Sequence, residues 1–217
     1  TVTNGVYTVS LEDGRFINIV GIESGQETQL SGGHYAVGSM TMDGDVLQFT
    51  TMTLQGNEVM YRLLELDFAL FQSMVLKEEL GVYAAEPDFY TNHDTDGINS
   101  VYVDNNTVVL NGETVYTIGN NSLPNVNGDS VAFASEQTEN NETTQKVIIF
   151  YKNLGEIDTV YSGNQTVEFV EFMDGEVVYG LGNLLDNQTV DLHVGDSVRE
   201  VPSGMFDVDN GNLTWIE

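Results

Sequence analysis

Recurrent turn dipeptides constrain the fold of this chain more than any other feature of its sequence. Each joins Gly to Asn or Asp, residues that accept the positive φ angles of tight β-hairpin turns. They are Asn4-Gly5, Asp13-Gly14, Asp43-Gly44, Gly56-Asn57, Asn111-Gly112, Asn127-Gly128, Asp174-Gly175 and Asn210-Gly211. Turns at this spacing leave room for short segments only, so they predict hairpins.

Short β-rich runs lie between these turns. They are Val6–Val9, Val46–Leu54, Val115–Ile118, Val131–Ala134, Val147–Tyr151, Thr159–Tyr161 and Val190–Val194. Val147–Tyr151 is continuously apolar, as in a strand that is covered on both faces. In Val190–Val194, apolar and polar residues alternate, which predicts a strand with one solvent-exposed face. We predict an all-β or mainly β protein, an antiparallel β-sandwich of the jelly-roll or immunoglobulin-like type.

One segment departs from this pattern and predicts a helix over residues 58–80. Its apolar residues recur at helical spacing, at Met60, Leu63, Leu64, Phe68, Phe71, Met74 and Val75. Asn57 is a good N-cap and Gly81 a good terminator. The alternation of Leu64, Leu66, Phe68 and Leu70 with polar or small residues also permits a strand.

The polar, turn-rich stretch at residues 84–99 predicts a boundary between two lobes. We place an N-terminal β lobe with the helix at residues 1–90 and a C-terminal β lobe at residues 91–217. One continuous domain is the alternative.

The charge balance is strongly acidic. Asp and Glu number 34 against six Lys and Arg, giving a net charge of -28. Such a surface repels nucleic acids and anionic membranes and attracts cations. It stays soluble in high salt, which fits a marine or halophilic source. The chain has no Cys, which excludes disulfides and thiolate chemistry and fits a secreted bacterial or archaeal protein.

Oxygen-bearing residues alternate at the start of Asn92–Ser100, as in an EF-hand-type calcium loop. The predicted ligands are the side chains of Asn92, Asp94, Asp96 and Ser100 and the Ile98 carbonyl, with Gly97 permitting a sharp turn. The twelfth position is Val103, so the loop lacks the usual final carboxylate. A solvated acidic turn is the alternative to a calcium site.

Six Asn-x-Ser/Thr sequons all follow residue 100, at Asn105, Asn120, Asn141, Asn164, Asn187 and Asn212. Several precede a β-rich run directly, so they predict exposed turns that carry glycans. Asn and Thr are also ordinary turn and strand-entry residues, which is the alternative explanation.

No motif identifies a catalytic site. His34, His93 and His193 have no metal-ligand spacing, and no Gly-x-Ser-x-Gly elbow occurs. A glycosidase pair among Glu168, Glu171 and Glu176 is conceivable, but nothing in the sequence selects it.

In composition, sequons and hairpin rhythm, the chain resembles archaeal and bacterial cell-surface glycoproteins of S-layers, sheaths and extracellular filaments. That resemblance implies a self-associating structural subunit at the cell surface, neither binding nucleic acid nor inserting in a membrane. Residues Thr1–Leu11 form a terminal strand suited to pairing with a neighbouring subunit. The alternatives are a secreted calcium-dependent carbohydrate-binding or adhesin module and a secreted hydrolase.

Overall fold

A computed structural model describes the backbone of residues 2–3, 7–12, 16–21, 27–31, 35–70, 72–83, 85–119, 123–182, 189–202, 205–209 and 212–216. Nearly all of these residues lie in antiparallel β-strands or in the tight turns between them. The chain divides into two compact units, Thr1–Asn105 and Asn106–Glu217. The prediction of an antiparallel all-β protein is therefore confirmed.

The first unit contains two four-stranded sheets and a hairpin, each formed by strands consecutive in the chain. The first sheet holds β1 (Val2–Thr3), β2 (Tyr7–Glu12), β3 (Phe16–Gly21) and β4 (Glu27–Ser31). The second holds β5 (Tyr35–Asp43), β6 (Val46–Gln55), β7 (Glu58–Asp67) and β8 (Gln72–Gly81). A 3-10 turn at Asp88–Tyr90 leads to the hairpin of β9 (His93–Thr95) and β10 (Ser100–Asp104).

The second unit repeats this meander. It begins with the hairpin of β11 (Thr107–Leu110) and β12 (Glu113–Thr117). One four-stranded sheet follows, with β13 (Asn125–Asn127), β14 (Ser130–Glu139), β15 (Glu142–Tyr151) and β16 (Glu156–Gly163). The next holds β17 (Val167–Met173), β18 (Glu176–Gly182), β19 (Thr189–Val194) and β20 (Ser197–Pro202). The last hairpin is β21 (Met205–Asp209) with β22 (Asn212–Ile216).

Several predicted turns close these hairpins as expected. Asn111 and Gly112 have φ angles of 52° and 83°, and Asp174 and Gly175 have 52° and 81°. Two consecutive positive φ angles are the geometry of the primed turns that match strand twist. The turns predicted at Asn4-Gly5, Asp13-Gly14 and Asn210-Gly211 include residues outside the described part of the chain.

The predicted helix over residues 58–80 is wrong, because this segment forms β7, a turn and β8. Val59, Tyr61 and Leu63 are buried in alternation along β7, which is the period of a strand. Asp67 Oδ1 accepts a hydrogen bond from Leu70 N at 2.9 Å and stabilises the turn that follows. The rest of the described chain also contains no α-helix, nor any helix long and apolar enough to cross a membrane.

The predicted sandwich is also incorrect, because short meanders follow one another along the chain instead of forming two large facing sheets. Small apolar cores hold the meanders of each unit together. In the first unit, Val9, Ile17 and Ile19 pack with Leu47, Phe49 and Phe68. In the second, one core cluster joins Ala132, Ala134 and Val147 to Val167, Val170, Tyr179 and Leu181.

The terminal strand that was predicted to pair with another subunit is occupied within its own sheet. β2 is flanked by β1 on one edge and by β3 on the other. Both of its edges therefore have partners, and donation of residues 1–11 would require this sheet to open.

Candidate functional site

A polar network in the first unit brings together residues that are far apart in sequence. Ser39 comes from β5, Gln48 and Thr50 from β6, and His93 from β9. Ser39 Oγ lies 2.6 Å from His93 Nε2, and Gln48 Oε1 lies 2.9 Å from His93 Nδ1. Gln48 and Thr50 are fully buried, and His93 is 9% exposed.

A β-bulge creates the space for this network. The register of β5 against β6 shifts between Val37 and Met40, at Gly38 and Ser39. A Cβ on Gly38 would lie only 2.5 Å from ring carbons of Tyr90 and 2.8 Å from Thr50 Oγ1. Only glycine permits the Tyr90 ring to pack this closely against the backbone.

The carbonyl of Tyr90 anchors the network to the 3-10 turn. Ser39 Oγ and Thr50 Oγ1 donate to Tyr90 O at 2.7 Å and 2.9 Å. The Tyr90 ring packs edge-on against Tyr61, with centroids 5.3 Å apart. Burial raises the pKa of Tyr90 to about 12. Side chains of β5, β6 and β7 thus hold the segment that precedes β9.

The order of contacts, from serine Oγ to Nε2 and from Nδ1 to an oxygen acceptor, is similar to that of a serine-nucleophile triad, but Ser39 Oγ donates its single proton to Tyr90 O and therefore does not donate to Nε2. Its electrostatics are not those of a catalytic triad. Burial lowers the pKa of His93 from 6.5 to about 4, so the ring is a poor proton acceptor near neutral pH. The neutral Gln48 amide stands where a carboxylate would stabilise an imidazolium. The network therefore stabilises the packing of β5 and β6 against β9, and it does not support the secreted-hydrolase alternative.

The predicted calcium ligands take part in separate hydrogen bonds. Asn92 Nδ2 donates to Asp88 O at 3.1 Å, and Asp94 Oδ1 accepts from Thr41 Oγ1 at 3.1 Å. Ser100 Oγ donates to Glu65 Oε2 at 2.5 Å.

The turn after β9 has a local explanation that involves no ion. Asp96 Oδ1 accepts from Ile98 N at 2.9 Å and Asn99 N at 2.6 Å, and Ile98 is exposed at the tip. A carboxylate that accepts hydrogen bonds from backbone N–H groups two and three residues later in the chain is the ordinary Asx-turn arrangement. Calcium binding at this loop stays a prediction.

The carboxylates considered for a glycosidase pair are not assembled by the fold. Glu171 Oε2 accepts a hydrogen bond from Asn125 Nδ2 at 2.6 Å. Glu168 and Glu176 are exposed, near opposite ends of the β17–β18 hairpin. His193 stacks on Tyr179, its cross-strand neighbour, with ring centroids 4.6 Å apart. His34 lies outside the described residues.

Three of the sequon asparagines are exposed at turns, namely Asn105, Asn141 and Asn164. Asn105 has a φ of 47° and Asn141 a φ of 65°, and each has an asparagine neighbour that also has a positive φ. Asn120 and Asn187 lie outside the described residues, and only the backbone of Asn212 is described.

A second feature that the sequence did not reveal is the exposed apolar surface of β8. This strand is the last in its sheet, and among the described residues only β7 pairs with it. Large apolar side chains on β8 and directly after it are about half or more exposed: Met74 56%, Val75 49%, Leu80 47%, Val82 58% and Tyr83 69%. We call residues 72–83 the β8 edge. Such a concentration of exposed apolar residues marks an interaction surface or a site of aggregation.

No protein-family model matches this chain, and no curated protein matches its sequence. Solved structures do match. The oligogalacturonate lyase of Vibrio parahaemolyticus has a TM-score of 0.57 at 11% identity, covering 95% of this chain and 65% of the lyase. A structure from a study of two prolyl endopeptidases has a TM-score of 0.61 at 12% identity, covering 99% of this chain and 38% of that protein.

The β-propeller domain of the Trilobed protease from Pyrococcus furiosus has a TM-score of 0.52 at 10% identity, covering 95% of this chain and 86% of that domain. The four-stranded meanders thus correspond to β-propeller blades, and the likeness concerns the fold alone. This chain spans less than two thirds of the length of the lyase and of the prolyl endopeptidase.

These likenesses overturn the prediction of a filament, sheath or S-layer subunit. The chain shares its fold with a lyase, peptidases and a protease domain. Its terminal strand, the element assigned to assembly, is paired inside its own sheet.

Proposed function

We propose that this chain is a protein-binding module of the β-propeller type whose partner is a positively charged, partly apolar polypeptide. The observation that carries the proposal is the exposed apolar surface of the β8 edge in a chain with a net charge of -28. An apolar surface supplies contact area, and the surrounding negative field selects a cationic partner.

The negative net charge of the chain would affect how fast a partner approaches and which partners bind. With 34 acidic and six basic residues, the chain has a negative potential that extends well beyond contact distance at low ionic strength. That potential accelerates the approach of cationic partners and repels anionic ones. Salt screens it over about 10 Å at 0.1 M, so binding should weaken as the salt concentration rises.

The same charge argues against the activity of one structural neighbour. Oligogalacturonate, the substrate in that neighbour's name, carries a carboxylate on each sugar. A chain with a net charge of -28 repels such a substrate at long range. Protein binding therefore suits this chain better than polyuronate cleavage.

We also propose an extracellular location and glycosylation of Asn164. Asn164 is exposed in the bend between β16 and β17, and it is not among the asparagines with a positive φ. Asn105 and Asn141 already have a conformational reason to be asparagine, since asparagine tolerates the left-handed region. Intact-mass measurement of native protein should find added mass that Asn164→Gln removes. A bare 23.9 kDa chain would contradict glycosylation.

The binding proposal is tested with two labelled peptides of about ten residues that share their apolar positions, one with Lys or Arg and one with Glu at the remaining positions. Fluorescence anisotropy with the full chain should show binding of the basic peptide only. Affinity should fall at least about tenfold between about 50 and about 500 mM salt. Equal binding of the acidic peptide, or no binding of the basic peptide, would contradict the proposal.

A further inference from the structure

One side of β8 faces no other strand in the described part of the chain. β8 is ten residues long and pairs with β7 along its length. In an antiparallel strand, alternate N–H and C=O groups point away from the paired neighbour. On β8 these groups face the side where no described strand lies. Within the described part of the chain, β8 therefore combines backbone groups that no neighbouring strand pairs with exposed apolar side chains.

The two halves of β8 are not equally suited to receive a further strand. The register shifts between Val75, opposite Leu64, and Lys77, opposite Leu63, so Leu76 is an extra residue. A bulge of this kind bends and twists an edge and protects it against pairing. From Lys77 to Gly81 the register to β7 is regular, and Val82 and Tyr83 extend the exposed apolar surface.

The C-terminal half of the β8 edge is held in place. Tyr61 Oη donates to Val82 O at 3.1 Å, and Ala85 N donates to the same carbonyl at 3.0 Å. Arg62 Nε binds Glu78 Oε2 at 2.6 Å, and Lys77 Nζ binds Asp104 Oδ2 at 2.5 Å. These contacts reduce the entropy lost when a partner binds, because the strand is already ordered.

We propose that an extended basic segment of the partner adds to the sheet as a further strand along Lys77–Gly81. This inference rests on the proposed function and names its site. Main-chain hydrogen bonds to β8 supply affinity, and side chains of the added strand contact Leu80 and Val82. A basic side chain of the partner lies beside Glu79, while Glu78 is already paired with Arg62, and the net charge of the whole chain adds to the selection of a basic partner.

A second copy of this chain is a poorer occupant of the same edge. Two antiparallel β8 strands would bring Glu78 and Glu79 of both copies together, and each copy has a net charge of -28. Like charges across a strand pair are destabilising. The fit is therefore to a basic segment of another protein.

The site is tested by changing matched residues on two edge strands. Leu80 on β8 and Ile157 on β16 are 47% and 48% exposed, and each strand is the last in its sheet. Leu80→Lys should weaken binding of the basic peptide at least about tenfold, whereas Ile157→Lys should change it less than about twofold. Circular dichroism and melting curves should show both variants folded like the parent chain.

A second measurement tests strand pairing directly and keeps the proposal falsifiable if Leu80→Lys fails to fold. The basic peptide is N-methylated at alternate residues, in two versions offset by one. One version should lose binding and the other retain it, because only one set of N–H groups faces β8. Equal binding of both versions would overturn strand addition.

The remaining outcomes separate this inference from the proposed function. If Leu80→Lys and Ile157→Lys both bind the basic peptide like the parent chain, the β8 site is wrong while the binding function stands. If the parent chain binds no basic peptide, both fail. If the parent chain sediments as a dimer that Leu80→Lys dissociates, the occupant is a second copy and the inference is overturned.

Discussion

β5 and β8 are the first and last strands of one sheet, and each contains a β-bulge, but the two strands make different contacts. β5 is bulged and attached by side chains to the segment before the next hairpin, through Ser39 to His93 and Tyr90 and through Thr41 to Asp94. β8 contacts that hairpin through the ion pair of Lys77 with Asp104, while Met74, Val75 and Leu80 are exposed.

This difference determines what a substitution on each strand is expected to affect. Around β5, the buried polar groups depend on a few specific hydrogen bonds, and Gln48 Nε2 has no partner among the described residues, so the network is sensitive to small changes in volume or protonation. Around β8, side chains already in contact with water can be replaced at little cost to stability. We therefore expect substitutions near β5 to affect folding and substitutions on β8 to affect binding.

The largest effect expected is a pH dependence of stability that originates from His93. Its folded-state pKa is about 4, below the ordinary 6.5, so the unfolded chain takes up the proton first as the pH falls. The free energy of unfolding should decrease between about pH 6.5 and about pH 4, by up to about 3 kcal/mol, and level off below that range. Urea denaturation of the parent chain and of His93→Gln across this range measures the contribution as a difference.

His193→Gln is the control for this measurement. Burial also lowers the pKa of His193, but the charge of Asp191 acts against that shift. Its step should have the same sign and be smaller. If the pH dependence of His93→Gln matches that of the parent chain, His93 is not the buried neutral group described above.

The next effect compares one methyl group added to β5 with one added to β8. In Gly38→Ala the new Cβ meets the Tyr90 ring and Thr50 Oγ1, so overpacking should cost about 1–3 kcal/mol. In Gly81→Ala the nearest atom belongs to the Tyr61 ring at 3.5 Å, which is an ordinary contact, and stability should change by less than about 1 kcal/mol. Chemical denaturation gives both values, and equal losses would remove the contrast between the two strands.

A smaller effect on stability is expected from the exposed face of β8. Val75→Thr keeps the β-branched shape and replaces one methyl group of a side chain that is about half exposed. The free energy of unfolding should change by less than about 0.5 kcal/mol. A loss above about 1.5 kcal/mol in denaturation experiments would mean that Val75 is covered in the folded protein.

The smallest effect is expected from the ion pair between Arg62 and Glu78. Both partners are partly exposed, at 24% and 46% of their side chains, so water and salt screen their attraction. Glu78→Gln should cost at most about 0.5 kcal/mol at low salt and less at high salt. A larger loss that salt does not reduce would show that Glu78 contributes through contacts other than this pair.

Local turn chemistry accounts for the part of the fold that the sequence predicts correctly. The φ angles at Asn111-Gly112 and Asp174-Gly175 are those that the dipeptides favour without tertiary contacts. The alternation along Val190–Val194 likewise matches a strand with Val190 and Leu192 buried and the intervening residues partly exposed. Val147, Ile148 and Ile149 are all buried in β15, which has a partner on each side.

The segment of residues 58–80 shows where local patterns fail. Its apolar spacing satisfies a helix, yet β6 offers β7 ten paired residues, and this pairing outweighs local preference. The bulge at Leu76 then interrupts the alternation along β8 and obscures the strand period. The Gly56-Asn57 turn between β6 and β7 is the local signal for this hairpin, and a window restricted to residues 58–80 leaves it out.

Turn positions, strand-forming runs and the acidic charge were thus determined by the sequence itself, because they depend on each residue and its near neighbours. The Ser39–His93 network and the exposure of β8 were decided only by the tertiary structure. His93 lies 54 residues from Ser39 and 45 from Gln48, and a bulge at Gly38 sets their approach. Such contacts arise from the packing of whole strands, because burial and hydrogen-bond partners are properties of the folded chain.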